Sequence, residues 1–157
     1  MRLLIISDSH GNSFAVDKII RENPECEHIF FLGDKTPDIE DAVYEYTSKK
    51  FHIVKGNCDG FCSYPDYDII RLNGIDILYC HGHTFGVKFG TSRLYEAALN
   101  ANCKIALYGH THIAKSEYID GIYLVNPGSC SRPREGGPTY AVIEIRENGI
   151  LVNIKKE

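Results

Sequence analysis

The amino-acid sequence predicts an α/β (α+β) chain made of mixed β-sheets flanked by helices. Short apolar runs rich in Ile, Leu, Val, Phe and Tyr recur along the 157 residues. Between the first three runs lie stretches whose apolar residues have the spacing of a helix. Turn dipeptides join later pairs of runs, which adds antiparallel hairpins. Because the chain has the size of one domain, no repeats and no obvious linker, we expect a single domain over 1–157.

Six apolar runs are predicted to be buried strands. Each run has the length of a strand rather than of a helix. These runs are Leu3–Ile6, Ile29–Leu32, Phe51–Val54, Ile75–Cys80, Ile105–Tyr108 and Ile122–Val125.

Three stretches have apolar residues at helical spacing. They are Ser13–Glu22, Asp38–Lys49 and Thr91–Asn100. The first stretch has Pro24 just beyond it, and Asn12 just before it is expected to cap the helix. The start of the chain therefore reads β-α-β-α-β.

Two hairpins are predicted in the rest of the chain. Asp68–Leu72 and Ile75–Cys80 are joined by Asn73-Gly74, which is a strong turn dipeptide. Tyr140–Arg146 and Ile150–Lys155 flank a Glu-Asn-Gly turn near the end. These antiparallel pairs make the predicted sheets mixed.

Composition narrows the class of protein. The formal net charge is −4, so the chain lacks the basic field of a protein that binds nucleic acid stably through its phosphates. No apolar stretch approaches a membrane span of about 20 residues, and the apolar stretch at the N-terminus is too short for a signal peptide. The six cysteines form no C-x-x-C pair, so we expect reduced, mostly buried thiols and a cytoplasmic protein.

Polar residues with metal-binding side chains follow five of the predicted strands. Ligand sites in open α/β sheets lie at the carboxyl ends of strands, so side chains that are distant in sequence are expected to converge there. The neighbouring glycines allow the backbone to turn tightly. The candidate ligands are Asp8, His10, Asp34, Asn57, His81, His110 and His112.

The donor types and their number point to two metal ions. Two Asp, one Asn and four His suit Mn²⁺, Fe, Zn²⁺ or Ni²⁺ better than an all-oxygen Ca²⁺ or Mg²⁺ cage, and we expect Mn²⁺. Seven donors exceed the needs of one ion but fit two ions that share a carboxylate. Each motif alone occurs often by chance, so the prediction rests on the ordered set of five.

The ordered motifs resemble the signature of the calcineurin-like metallophosphoesterases. They are Asp8-x-His10, Gly33-Asp34, Gly56-Asn57-x-Asp59, His81-Gly82-His83 and Gly109-His110-Thr111-His112. The resemblance runs from Asp8 to about Ser129. The short chain, the His-Gly-His form and the later Asn-Pro-Gly-Ser make it similar to the small prokaryotic phosphodiesterase branch. This resemblance implies a sandwich of two mixed sheets flanked by helices.

The resemblance also implies a role for each ligand. Asp8, His10 and His112 would hold the first metal, Asn57, His81 and His110 would hold the second, and Asp34 would bridge them. Two such ions lie about 3.5 to 4 Å apart, and a hydroxide shared by them would attack phosphorus in line. Asp34, Asn57 and His81 would thus be catalytic, and a small phosphate ester, preferably a diester, would be the substrate.

One position departs from the pattern. Many relatives have a histidine after the asparagine, thought to protonate the leaving group, whereas this chain has Cys58. A thiol with a pKa near 8.5 is a poorer acid at neutral pH than imidazole. His83 is a candidate substitute, with lining the site as an equal alternative, and without that histidine the role of Asp59 is open.

Other features leave alternatives open. Arg132 and Arg134 suit phosphate contact, but a solvated loop or subunit contact explains them equally well. The main rival function is a non-catalytic interaction module, because a eukaryotic relative with this fold is a subunit of a membrane-coat sorting complex. A single-zinc hydrolase is a second rival, but it leaves several motifs unexplained. The oligomeric state, homo-oligomer included, stays open.

Overall fold

The computed structural model describes all 157 residues, which form ten strands and three helices. The strands are β1 (Arg2–Ile6), β2 (His28–Phe31), β3 (Lys50–Ile53), β4 (Tyr67–Leu72), β5 (Ile75–Cys80), β6 (Ile105–Leu107), β7 (Lys115–Ile119), β8 (Ile122–Asn126), β9 (Thr139–Arg146) and β10 (Gly149–Lys156). The helices are α1 (Ser13–Glu22), α2 (Pro37–Glu45) and α3 (Ser92–Asn100). Two short 3-10 helices, His83–Phe85 and Val87–Phe89, follow β5.

The strands form two mixed five-stranded sheets. The first has the order β10-β9-β1-β2-β3, with β1, β2 and β3 parallel and β9 antiparallel to both neighbours. The second has the order β4-β5-β6-β8-β7, with β5, β6 and β8 parallel and an antiparallel strand at each edge. Both predicted hairpins are present, as β4-β5 and β9-β10.

The two sheets pack face to face, and helices cover their outer faces. Leu3 and Ile5 of β1 lie in a core shared with residues of the second sheet, such as Ile105. Leu4 of β1 instead packs with the apolar residues of α1 and α2. Because both faces of the parallel strands are buried, their sequences are continuous apolar runs rather than alternating ones. The second sheet packs its outer face on α3 in the same way.

The main differences from the prediction concern α2 and β7. Helix α2 ends at Glu45 rather than Lys49, because the N–H of Tyr46 closes the last turn on Ala42 and Lys50 already pairs with His28 in the sheet. Strand β7 was not predicted, since it is an edge strand whose Lys-Ser-Glu start has no apolar run.

The Asn12 cap and the free, mostly buried cysteines agree with the prediction. Asn12 caps α1, since its side-chain oxygen accepts a hydrogen bond from the N–H of Ala15 at 3.0 Å. All six cysteines are free, and four of them are buried. None of the three helices has the length and apolar character needed to cross a bilayer.

Candidate metal centre

The loops that follow β1, β2, β5 and β6 bring six of the seven predicted ligands into two adjoining groups. Within each group, one potential ligand atom per residue lies within 4.8 Å of the others. The first group is Asp8, His10, Asp34 and His112, and the second is Asp34, His81 and His110.

Asp34 belongs to both groups, and its two oxygens face different histidines. Oδ2 lies 3.6 Å from Nε2 of His10, and Oδ1 lies 3.4 Å from Nε2 of His81. A carboxylate that presents one oxygen to each side is suited to bridging two cations. Asp34 lies on the loop after β2, and β2 is the neighbour of β1, whose loop carries Asp8 and His10.

Two of the histidines have an orientation that frees a nitrogen lone pair. Nδ1 of His81 lies 2.7 Å from the carbonyl oxygen of Leu32, and Nδ1 of His112 lies 2.7 Å from that of Arg132. A carbonyl only accepts hydrogen bonds, so each Nδ1 carries a proton, and the neutral form of each ring offers its Nε2 lone pair to a metal.

The same two Nε2 atoms lie close to other ring nitrogens. Nε2 of His112 is 3.1 Å from Nε2 of His10, and Nε2 of His81 is 3.1 Å from Nδ1 of His110. In each group, therefore, two imidazoles converge beside a carboxylate, which is the donor set that divalent transition metals prefer.

Asp8 supplies a direct test of whether a cation fits. The residue is 0% exposed. Oδ2 accepts hydrogen bonds from the Ser7 hydroxyl at 2.6 Å and from the N–H of His110 at 3.1 Å, whereas Oδ1 is buried without a hydrogen-bond partner. A buried carboxylate oxygen without a partner is energetically unfavourable. A metal ion beside His112, whose Nε2 is 3.2 Å from this oxygen, would satisfy it.

The backbone at the centre is in an unusual conformation. Asp8, His10, Asp34, His110 and His112 all have positive φ angles, between 47° and 67°. Residues other than glycine rarely adopt this left-handed conformation, and each instance is unfavourable by about 1 kcal/mol or more. Backbone strain of this kind clusters at functional sites, where the surrounding structure holds it in place.

Two glycines beside the ligands are required by close packing. A Cβ on Gly109 would collide with the Ser7 hydroxyl and would lie 2.7 Å from Oδ2 of Asp8. A Cβ on Gly56 would overlap Oδ1 of Asp34 and lie 2.6 Å from the Asp34 nitrogen. Any side chain at either position would displace a carboxylate of the centre.

The pKa values of Asp8, His10 and His110 favour metal binding. Burial lowers the pKa of His10, and it lowers the pKa of His110 to about 4. Burial by itself raises the pKa of Asp8, but His112, His81 and Ser7 outweigh it and hold this pKa below its usual value. Contact with Asp8 in turn raises the pKa of His112. At neutral pH Asp8 is thus ionised and His10 and His110 are neutral, as metal ligands must be.

Asp59 has a structural role that the sequence left open. Its carboxylate accepts hydrogen bonds from the N–H groups of Asp34 (2.9 Å), Lys35 (2.7 Å), Thr36 (2.6 Å) and Gly56 (2.6 Å). It therefore joins the loop after β2 to the loop after β3 and fixes the backbone of Asp34. The position of Asp59 two residues after Asn57 marked it in the sequence as part of the motif. Its hydrogen-bond partners could not be predicted, because the packing of the two loops determines them.

Three predicted residues lie next to the groups. Asn57 is exposed on the loop after β3, and its amide donates to Sγ of Cys58 at 3.3 Å. The N–H of Cys58 donates to Oδ1 of Asp34 at 2.9 Å, so this loop contacts the shared carboxylate directly. Burial and then Asp34 raise the pKa of the Cys58 thiol. The His83 ring centroid lies 5.4 Å from that of His81, and its Nδ1 is buried without a partner.

The segment after β8 supports the centre from behind. The Ser129 hydroxyl donates to the carbonyl of Asp8 at 2.7 Å, and the Asn126 amide donates to the carbonyl of Gly109 at 2.9 Å. Arg132 contacts the centre through its backbone carbonyl, which orients His112. Arg134 donates its N–H to the carbonyl of His112 at 3.1 Å, while its guanidinium makes no hydrogen bond to the protein.

Comparison with known proteins agrees with this geometry. The family model of the calcineurin-like phosphoesterase superfamily domain matches residues 1–148. The chain belongs to this superfamily. The probable metallophosphoesterase YsnB of Bacillus subtilis is 31% identical over 154 residues, covering 97% of this chain and 89% of that protein. Phosphodiesterase YfcE of Escherichia coli K12 is 27% identical, over 92% and 88% of the two chains.

Solved structures extend the comparison to the fold. The crystal structure of a predicted phosphoesterase from Streptococcus pneumoniae TIGR4 superposes with a TM-score of 0.85 at 29% identity, over 99% of this calcineurin-like chain and 88% of that one. Vps29 from Entamoeba histolytica, complexed with Zn²⁺, superposes with a TM-score of 0.77 at 20% identity, over 99% and 98% of the two chains. The predicted sandwich of two mixed sheets flanked by helices is therefore confirmed.

Proposed function

We propose that this member of the superfamily is a dinuclear metal-dependent phosphoesterase that hydrolyses phosphodiesters. Asp8, His10 and His112 would hold one divalent ion, Asn57, His81 and His110 the other, and Asp34 would bridge them. The observation that carries the proposal is the position of Asp34, with one carboxylate oxygen toward His10 and the other toward His81. When bound, the two ions supply Lewis acidity for the phosphoryl group and an activated water.

The residues of the chain would prepare the site for this chemistry. The carbonyls of Leu32 and Arg132 fix the rings of His81 and His112, so their Nε2 atoms stay aimed at the cation positions. Asp59 holds the backbone of Asp34 through the N–H groups of two loops. The proposed hydrolysis requires no nucleophilic side chain, and the raised pKa of the Cys58 thiol disfavours its reactive thiolate form.

Several features support the finer parts of the proposal. The name of YfcE supports diesters over monoesters, and the mixed oxygen and imidazole donors support Mn²⁺ over Mg²⁺. Six free thiols support a reducing compartment, which agrees with a cytoplasmic location.

The test compares bis-p-nitrophenyl phosphate with p-nitrophenyl phosphate on metal-stripped protein, with and without added Mn²⁺. We expect Mn²⁺-dependent cleavage that favours the diester and about two ions per chain by elemental analysis. Asp34→Asn should lose both ions and at least about 1000-fold in rate while the fold survives. Asp41→Asn is the matched control, because Asp41 is exposed on α2 and makes no ion pair. Full activity in Asp34→Asn would refute the bridging role.

A non-catalytic interaction module is the alternative function. The likeness to Vps29 favours it, and Phe61 and Phe89 are fully exposed aromatic side chains. Since a Vps29 structure is complexed with Zn²⁺, metal binding alone does not separate the two functions. Turnover does, and folded, metal-loaded protein without turnover on any diester would support the interaction module.

A further inference from the structure

A pocket of about 530 Å³ adjoins the metal centre on the side of the second sheet. Thr111, which lies between two of the candidate ligands, forms part of its wall. Val87 forms another part of the wall. It packs against Gly82, the residue after His81, so closely that a Cβ on Gly82 would lie 2.7 Å from Cγ2 of Val87. The wall of the pocket is therefore formed in part by residues that adjoin His81, His110 and His112 in sequence or contact their neighbours.

Three cationic side chains line this pocket, and no carboxylate does. They are Lys88, Lys115 and Arg134, which come from three separate parts of the chain. Lys115 lies 3.0 Å from Glu117, whereas the charged groups of Lys88 and Arg134 have no ion pair or hydrogen bond with the protein. In a chain with a net charge of −4, the two unpaired cations, Lys88 and Arg134, create a local positive field on this concave surface that attracts anions.

The remaining lining offers contacts to an organic group. Val87, Tyr108 and Ile113 contribute apolar surface. Tyr108 is only 2% exposed, and its hydroxyl makes no hydrogen bond to the protein, so a ligand in the pocket can use it. A volume of this size is typical of sites that bind small molecules, and it exceeds what one phosphate group fills.

We propose that the pocket binds a second phosphate group on the substrate, so that the preferred substrates are phosphodiesters with a terminal phosphate on one alcohol. This inference rests on the proposed function, because the diester itself would lie at the metal centre. Arg134 suits bidentate contact with phosphate, and Lys88 adds a mobile point charge. The apolar wall would contact the organic group that joins the two phosphates.

The test uses dithymidine monophosphate in three forms: unmodified, 5′-phosphorylated and 3′-phosphorylated. All three have the same scissile diester, so kcat/KM of the Mn²⁺-loaded protein isolates the effect of the terminal phosphate. We expect a preference of at least about 10-fold for one phosphorylated form. In the double variant Lys88→Gln/Arg134→Gln this preference should fall to within about 2-fold.

A control variant separates the pocket from the overall charge. Arg71→Gln/Lys156→Gln also removes two positive charges, but both residues are exposed on strands away from the pocket. It should keep the wild-type preference. If wild-type protein cleaves all three forms equally, or if the pocket variant keeps the preference, the second-phosphate site is wrong while the proposed function stands.

A binding measurement covers the case in which no diester is cleaved and the proposed function fails. Calorimetric titration of the Mn²⁺-loaded protein compares thymidine 3′,5′-bisphosphate with thymidine 3′-phosphate and thymidine 5′-phosphate. The pocket predicts that the bisphosphate binds at least about 10-fold more tightly than either monophosphate, and that Lys88→Gln/Arg134→Gln removes the difference. Equal affinities in wild-type protein would overturn the site independently of catalysis.

Discussion

Histidines meet in two different regions of this protein, and only one region has the form of a metal centre. At the strand ends, His81 and His110 approach to 3.1 Å. Between β2 and β3, His28 and His52 approach to 2.9 Å and their rings stack with an interplanar angle of 4°. Burial is the main cause of a low pKa in both regions, and it brings His52 and His110 each to about 4.

The two regions differ in what surrounds the rings. The strand-end histidines face the carboxylates of Asp8 and Asp34, and backbone carbonyls fix two of the rings. In the other pair, His52 packs beside Phe30 and Tyr79, and neither His28 nor His52 forms an ion pair. Two imidazoles in contact are therefore not sufficient for a metal site. Anionic donors and an anchored ring orientation make the difference.

The largest difference expected between the two histidine regions comes from removing one histidine of each. His81→Gln should lose one of two bound ions and at least about 100-fold in diester turnover, because its oriented Nε2 is lost. His52→Gln should keep two ions and nearly full turnover. Elemental analysis and steady-state kinetics measure both, and loss of a metal from His52→Gln would remove the distinction between the regions.

The next effect tests the support of the strand-end carboxylate. Asp59→Asn replaces an acceptor of four N–H groups with an amide that has one oxygen, so some donors lose their partner. We expect about 2 kcal/mol less stability toward urea and about 10-fold weaker metal binding. The exposed Asp41→Asn serves again as control. Unchanged metal affinity would mean that Asp34 keeps its position without this anchor.

A third variant adds an imidazole to the strand-end region. Cys58→His supplies a better acid than a thiol whose pKa is raised by burial and by Asp34. The rate on diesters with poor leaving groups should rise about 10-fold, with little change for p-nitrophenyl leaving groups. An equal rise for both substrates would exclude leaving-group protonation as the cause.

The smallest effect concerns acid stability of the pair between β2 and β3. Burial, then His28, lowers the pKa of His52 from 6.5 to about 4. Between pH 6.5 and pH 4 the unfolded chain therefore binds more protons than the folded chain. The contribution of neutral His52 to the free energy of unfolding is fully present above pH 6.5 and is lost as the pH falls toward 4. Because His52 is partly exposed, we expect a loss of only about 1 kcal/mol.

Urea unfolding of metal-free protein at pH 7.5 and pH 5.0 measures this loss. His52→Phe keeps an aromatic ring against Phe30 but removes the titrating group, so it should lose less stability on acidification than wild-type protein. Equal losses in the two proteins would show that His52 does not contribute to the acid sensitivity.

Much of the fold and of the centre could be predicted from the sequence. Doubly buried parallel strands require continuous apolar runs, so Leu3–Ile6 and its counterparts were visible as strands, and their ends marked where side chains would converge. The six Asp and His residues that were predicted as ligands lie close together there in the structure. The sequence also revealed the helical spacing, the Asn12 cap and the Asn73-Gly74 turn, because each of these depends on residues that are close in sequence.

Other features were decided only by tertiary structure. The left-handed backbone of Asp8 and Asp34, the four donors around Asp59 and the cationic pocket of Lys88, Lys115 and Arg134 combine elements that are distant in sequence. No pattern of neighbouring residues predicts these features, because each depends on contacts between parts of the chain that only the fold brings together. Sequence periodicity specifies which residues are buried and where strands end, whereas the packing of two sheets determines which side chains meet and in what orientation.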